Sequence, residues 1–450
     1  MSLYSVISGK YLRFKLGLTP QQNLFYGFLT YVLIGSLLLC IPWFHKNSVA
    51  FLDNLFIATS AVSTTGLATV SVIDSYNFFG QLIILVLIQL GGIGYLTFTT
   101  FMILSTTRKM THWHQNLLKT EFTLPKTIEI KDFLKAVVFF TLAMEALGTV
   151  LYFFAFKNLN LGSFETLWFA IFHSVSAFCT AGFSLFENGF ANFTGNGLIN
   201  TTTSVLAIAG SMGFIVVTDF ALFLKKRTHQ LSFTTKIILM GSLVLLTSGF
   251  VFFYVYEPTI SSLKGTDRIW AAFFQGMSAM TTVGFNTVDY GNFIMPMLLV
   301  TIFLMYVGAS PSGTAGGMKI TTLTAIIAIM KSRLRNHSRI TFFGRIIPYE
   351  RLFVATSSFI FYTSLIALGT FVLSFLEDFH LEDLLFEVAS ALGTVGLSTG
   401  ITGNLGDWGK LVIIILMFIG RLGVLTFGLA IWAKHRHSPE NKPLKEDIAV

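Results

Sequence analysis

Four stretches of the chain set a threonine two residues before a glycine: Thr64-Thr65-Gly66-Leu67, Thr180-Ala181-Gly182-Phe183, Thr282-Val283-Gly284-Phe285 and Thr394-Val395-Gly396-Leu397. The chemistry open to such stretches is oxygen coordination. Glycine permits backbone angles that turn carbonyls away from ordinary structure, and threonine adds a hydroxyl. Four such strands around one axis would present rings of carbonyl and hydroxyl oxygens, which can replace the hydration shell of a monovalent cation.

Each stretch closes a longer pattern, F-x-x-x-S-A-x-x-T-x-G-[LF], opened by Phe56, Phe172, Phe274 and Phe386. A single T-x-G would read equally well as a helix C-cap. Four copies at near-even spacing mean duplicated units, a common feature of transporters. The Phe and Ser, four apart, share a helical face, and the Ala after Ser allows close packing. A helix ending at the motif would aim its partially negative C-terminus at the shared axis, which also favours a cation.

The elements that must hold these stretches follow from composition. Of 450 residues, 53% are hydrophobic and only 12% charged, against about 25% charged in soluble domains. The expected fold is an all-α integral membrane protein. Eight apolar runs are long enough to span a bilayer, which takes about 20 residues: 23–43, 78–106, 133–156, 197–224, 235–256, 293–330, 352–376 and 409–433. The fifth and eighth read as uninterrupted, while the sixth is too long and is broken by "GASPSGTAGGMK". Shorter apolar stretches at 52–63, 164–179, 266–280 and 381–392 read as re-entrant segments.

The chain therefore divides into an N-terminus, 1–22; repeat 1, 23–109; repeat 2, 130–227; repeat 3, 233–333, with a broken second helix; repeat 4, 350–434; and a tail, 435–450. Each unit reads as span, short helix, loop, span, and four such loops around one axis would line a pseudo-fourfold central pore. Most Lys and Arg fall before, between and after the repeats, whereas acids such as Asp53, Glu165, Asp289 and Asp407 lie on the other side. The positive-inside rule then puts both termini in the cytoplasm. The net charge of +8 is thus a topology signal, not a sign of nucleic-acid binding, and the basic loops could meet anionic lipid or a cytoplasmic partner. No signal-peptide cleavage pattern follows the first apolar run. Cys40 and Cys179 supply no disulfide framework.

A second glycine row follows each motif by about 30 residues: "GGIGY" at 91–95, "GSMGF" at 210–214, "GASPSGTAGG" at 308–317 and "GRLGV" at 420–424. Small residues let helices approach closely, and for the two first copies packing is the favoured reading. The third is different. Gly308, Ala309, Ser310, Pro311, Ser312, Gly313, Thr314, Ala315, Gly316 and Gly317 cannot make a stable helix, and broken helices at membrane depth face a cavity or pathway. Arg421, inside the last span, must face a partner or water; loop carbonyls of 308–316 or the lower pore are the expected acceptors. Lys319 either assists it or snorkels to the inner interface. Glu145, in the third span, is expected to bind a polar neighbour within the bundle, a coupling role being the alternative. His173, Gln275 and Glu387, one residue past the repeated Phe, read as polar packing behind the filter.

These motifs resemble the Trk/Ktr/HKT superfamily of potassium transporters over about residues 20–435, and most closely the bacterial Ktr membrane subunit. The resemblance implies filter strands "TTGLA", "TAGFS", "TVGFN" and "TVGLS", although the aromatic-Gly ending of T-V-G-Y-G channels is missing from all four. It implies potassium preference, since Gly66 stands where sodium-preferring relatives carry Ser. It assigns gating to the 308–319 loop with Arg421. It further implies a homodimer on a cytoplasmic ring of separate nucleotide-binding regulatory subunits in the bacterial cytoplasmic membrane. No covalent cofactor is expected, K+ being the transported ion with Na+ as an alternative. A sodium-permeable or sodium-coupled member of the same superfamily is the nearest rival. An organic-substrate transporter would show two-fold repeats, and a membrane enzyme would need paired intramembrane acids or histidines. No Walker loop or G-x-G-x-x-G appears.

Overall fold

The computed structural model describes residues 18–94, 130–159, 161–224, 230–308, 310–337 and 339–432. Four units follow one another. The first has α1 (Pro20–Leu39), α2 (Phe51–Val62) and α3 (Phe78–Ile93). The second has α4 (Ile130–Phe156), α5 (Ser163–Phe178), α6 (Gly197–Ser211) and α7 (Phe214–Leu224). The third has α8 (Phe233–Tyr256), α9 (Gly265–Thr281), α10 (Met295–Tyr306) and α11 (Ile320–Leu334). The fourth has α12 (Tyr349–Leu376), α13 (Leu381–Gly393), α14 (Asp407–Leu422) and α15 (Val424–Trp432).

The opening helix of every unit is long and apolar enough to cross a membrane. Large apolar side chains such as Leu37, Phe139, Leu243 and Phe371 stand exposed on them, as a lipid-facing surface requires. The short helices α2, α5, α9 and α13 each carry acid in the first turn, at Asp53, Glu165, Asp267, and Glu382 with Asp383. Those carboxylates complement the positive end of the helix dipole and fix where each short helix starts. Phe56, Phe172, Phe274 and Phe386 are all completely buried, so the repeated Phe is the core anchor of each.

The units close into a ring. The helix after each motif packs on the next unit's short helix: α3 on α5, α6 on α9, α10 on α13, and α14 back on α2. The last closure carries an ion pair, Lys410 to Asp53 at 2.7 Å.

Two of the expected spans are bent and not single straight helices. The run 197–224 is not one helix but α6 and α7, bent by 91°, and the run 409–433, read as uninterrupted, is α14 and α15 bent by 98°. The breaks fall at Gly213 and Gly423, with φ of 84° and 82°; α3 stops likewise at Gly94, φ 84°. These are the fourth residues of the second glycine row. Their left-handed φ, disfavoured for other residues, ends the i→i+4 ladder while hydropathy continues unchanged. The first residue of each group does pack, as expected: a Cβ on Gly91, Gly210 or Gly420 would strike the carbonyl of Val62, Phe178 or Leu392, the last turn of a short helix. One departure from an all-helical chain is a two-stranded hairpin, β1 (Thr341–Phe342) with β2 (Arg345–Ile346), turning through Phe343 and Gly344 at positive φ.

Candidate functional site

The four T-x-G loops leave the C-terminal ends of the short helices and meet at one axis. In each, the threonine is left-handed, with φ of 52° at Thr64, 52° at Thr180, 57° at Thr282 and 47° at Thr394. The glycine two residues on is again positive, at 94°, 67°, 80° and 92° for Gly66, Gly182, Gly284 and Gly396. Alternating the sign of φ turns successive carbonyls toward one side of the strand. Non-glycine residues at such angles are strained by about 1–3 kcal/mol, so the surrounding fold must hold them.

The holding bonds recur in every unit. The amide after the threonine donates to the carbonyl of the motif Ser: Thr65 to Ser60 (2.8 Å), Ala181 to Ser176 (2.8 Å), Val283 to Ser278 (3.2 Å) and Val395 to Ser390 (2.9 Å). The serine hydroxyl then takes the next available group. Ser60 and Ser390 accept from the Gly66 and Gly396 amides at 3.0 and 3.1 Å. Ser176 and Ser278 instead donate to the Phe183 and Phe285 carbonyls at 2.8 and 2.5 Å. The tying role of this serine was missed in the sequence, although its signal was there: one polar residue kept on an apolar helix in all four copies. Ser278→Ala should leave the buried Phe285 carbonyl without its donor and cost about 1–2 kcal/mol, read as a lowered unfolding midpoint in detergent.

Neighbouring loops touch in cyclic order. A Cβ added to Gly66 would meet the Ala181 carbonyl, one on Gly182 the Val283 carbonyl, one on Gly284 the Val395 carbonyl, and one on Gly396 the Thr65 carbonyl, all under 3.0 Å. The sequence placed all sixteen residues of the four strands in one constellation, and they come together. Leu67, Phe183, Phe285 and Leu397 are buried. Behind the ring, His173 accepts from the Leu185 amide at 3.3 Å. Gln275 donates to the Val288 carbonyl at 2.8 Å and accepts from the Thr287 amide at 3.2 Å. Glu387 accepts from Ser398 and Thr402 at 2.8 and 2.5 Å. They brace the chain that follows the second, third and fourth loops, which is polar packing as expected.

The 308–319 segment lies directly beneath the ring; Ala309 is outside the described residues. Thr314 reaches Thr180, hydroxyl to hydroxyl, at 3.2 Å, and donates to the Phe178 carbonyl at 3.2 Å. The Gly316 amide donates to the Thr282 hydroxyl at 3.2 Å. Gly308 and Gly316 abut Thr282 and Thr394, where any side chain would collide. Thr64 and Thr394 keep buried hydroxyls without a hydrogen-bond partner among the described residues. Ser310 and Thr314 pair their amides with the Ser211 and Gly210 carbonyls at 3.3 and 3.1 Å. Ser312, at φ 61°, accepts the Phe214 amide on its carbonyl and the Ile215 amide on its hydroxyl, capping α7. Pro311, Gly313 and Gly317 complete the turn, with Gly317 at φ 71°.

Arg421 crosses this junction. Its guanidinium donates to the Thr314 carbonyl of the segment and to the Gly91 carbonyl of the first unit, with Gly92 O at 3.4 Å. The loop carbonyls anticipated as its partners are therefore found, together with a turn of α3 that was not anticipated. Lys319 does not reach outward; its Nζ folds back onto the Ala315 and Gly316 carbonyls at 2.9 and 3.4 Å. Below lies a cavity of about 730 Å³ lined by Lys319, Arg421, Arg351 and apolar residues of α1 and α8.

A family model described as TrkH, a cation transport protein, matches residues 21–440. Ktr system potassium uptake protein B of Bacillus subtilis is 32% identical over 93% of each chain. Potassium/sodium uptake protein NtpJ of Enterococcus hirae is 33% identical over 96% of each. The solved structure of the potassium transporter TrkH from Vibrio parahaemolyticus superposes with a TM-score of 0.71, at 21% identity, over 90% of this chain and 84% of that one, a likeness of fold.

Proposed function

This chain belongs to the TrkH family of cation transport proteins, multi-pass proteins of the bacterial cytoplasmic membrane, and from that premise we propose that it takes up potassium through the ring of T-x-G loops. The observation that carries the reading is cyclic closure, in which each glycine backs onto the next unit's carbonyl. Closure makes one carbonyl-lined passage per chain. It also fixes the oxygens against one another, as discrimination by carbonyl field and spacing requires. The unpartnered Thr64 and Thr394 hydroxyls fit a bound cation as their missing neighbour. The chain is then not an enzyme; its residues bind, dehydrate and release an ion.

The reading extends to topology and control. Eight spans with both termini cytoplasmic follow if α3, α6–α7, α10–α11 and α14–α15 cross as the second helix of their units, with the short helices re-entrant from outside. The 308–319 segment with Arg421 gates the passage from within: it blocks the space below the threonines and places a fixed positive charge beside it. The curated relative's name, a Ktr system protein B, supports a separate regulatory component; a homodimer on a nucleotide-binding ring, docked at basic inner segments such as 331–345, is the arrangement proposed. A second reading, sodium permeation, is favoured by the potassium/sodium name of the Enterococcus relative.

The test is cation uptake into liposomes holding the purified chain, with Arg421→Ala alongside so that a closed gate does not mask conduction. Potassium and rubidium should enter faster than sodium and lithium. Equal or sodium-favouring uptake would replace the potassium reading with the second one.

A further inference from the structure

One buried acid is unused by the proposed passage and lies beside its latch. Glu145, within α4, is 7% exposed. Its carboxylate accepts from the Gln89 amide at 3.2 Å and faces the Cys179 thiol at 3.8 Å. Among the described residues no cationic side chain forms an ion pair with it. Gln89 is on α3, two residues before the Gly91 carbonyl that holds Arg421. Cys179 faces Gln89 at 3.8 Å, packs against Gly92 and precedes Thr180 of the ring. The Glu145 carboxylate and the Arg421 guanidinium thus meet the same turn of α3, one through Gln89 and the other through the Gly91 carbonyl.

The other charged or titratable groups on helices packed against α4 point elsewhere. Glu165 caps the start of α5 at Gly162, His173 turns to Phe169 and Ser184, and Asp219 on α7 accepts from the Ser232 amide. Neither α3 nor α6 carries one.

We propose that Glu145 is a positioning residue for the gate: its carboxylate draws the Arg421 guanidinium toward the Gly91–Gly92 turn and away from the Thr314 carbonyl. Its charge biases the 308–319 segment toward release, and its loss leaves the latch on Thr314. The inference rests on the gate reading above.

The experiment is rubidium uptake into liposomes for the native chain, Glu145→Gln, Glu145→Asp and Arg421→Ala, and for Glu145→Gln combined with Arg421→Ala, from pH ~5 to ~9, the range in which buried carboxylates titrate. Native uptake should rise with pH as the carboxylate charges. Glu145→Gln should be flat and roughly 5- to 20-fold slower, the span of a coupling between sites. Glu145→Asp should restore the pH dependence, and Glu145→Gln should change nothing once Arg421 is gone. An equal loss from Glu145→Gln in both backgrounds, or native uptake in Glu145→Gln, overturns the inference. Should Glu145→Gln fail to fold, Gln89→Leu strips the amide and keeps the carboxylate; an unshifted pH profile then counts against it. Arg421→Ala without effect on uptake would instead remove the gate reading itself.

Discussion

Gly66→Ser gives a chain that no longer prefers potassium, with the potassium-to-sodium uptake ratio lowered at least ~10-fold, equivalent to about 1.4 kcal/mol of lost discrimination. Two independent penalties meet at this residue. Its φ of 94° lies where any side chain strains the backbone by about 1–3 kcal/mol. Its Cβ would also overlap the Ala181 carbonyl of the next unit, backbone that cannot swing aside like a side-chain tip. The ring must widen at that seam, and the Ser60 hydroxyl bond to the Gly66 amide opens with it. A wider ring holds the larger ion less closely and admits more water. Side-by-side liposome uptake of potassium and sodium measures the ratio; an unchanged ratio would sink the filter assignment.

Arg421→Ala raises potassium uptake by roughly tenfold. The guanidinium is a strut between the third unit's loop and the first unit's α3, bonded to Thr314 and Gly91 carbonyls, and those acceptors have no substitute donor in alanine. It is also a fixed positive charge beside the proposed cation route. Two unit charges about 8 Å apart at an effective dielectric near 20 repel by roughly 2 kcal/mol, enough alone for a tenfold change. Deleting 309–314 should act in the same direction. That deletion also removes the Ser312 cap on α7 and the pairing with Ser211, so the point variant is the cleaner measurement. Unchanged uptake in both would leave the segment as a structural plug without a gating role.

Much of this architecture was written in the sequence because it is repeated. Short apolar stretches leading into the four copies of one pattern located the short helices to within a residue or two, from α2 at Phe51–Val62 to α13 at Leu381–Gly393. Glycine, serine and proline density marked the 308–319 break, since no other composition so clearly refuses a helix. The bends at Gly213 and Gly423 were not legible, because hydropathy runs unbroken through a glycine and the sign of φ is not a property of the side chain. The serine ties were hidden for a related reason: whether Ser60 accepts from an amide or Ser278 donates to a carbonyl depends on where the following strand lies. For Lys319 the sequence offered two roles, assisting Arg421 or snorkelling to the inner interface. Only the fold, which curls the loop back above the start of α11, brings the Ala315 carbonyl within reach.

The contact between Gly396 and the Thr65 carbonyl, with Lys410 on Asp53, joins the last quarter of the chain to the first. During synthesis, then, the proposed passage would have no complete wall until the final unit had been made and inserted. Three finished quarters leave an open-sided trough whose carbonyls face other chain or lipid, not an ordered column of ions. Because α14 both closes the ring and carries Arg421, the proposed passage and its proposed latch are completed together, and a ribosome still at work on this chain would not leave a hole in the membrane behind it.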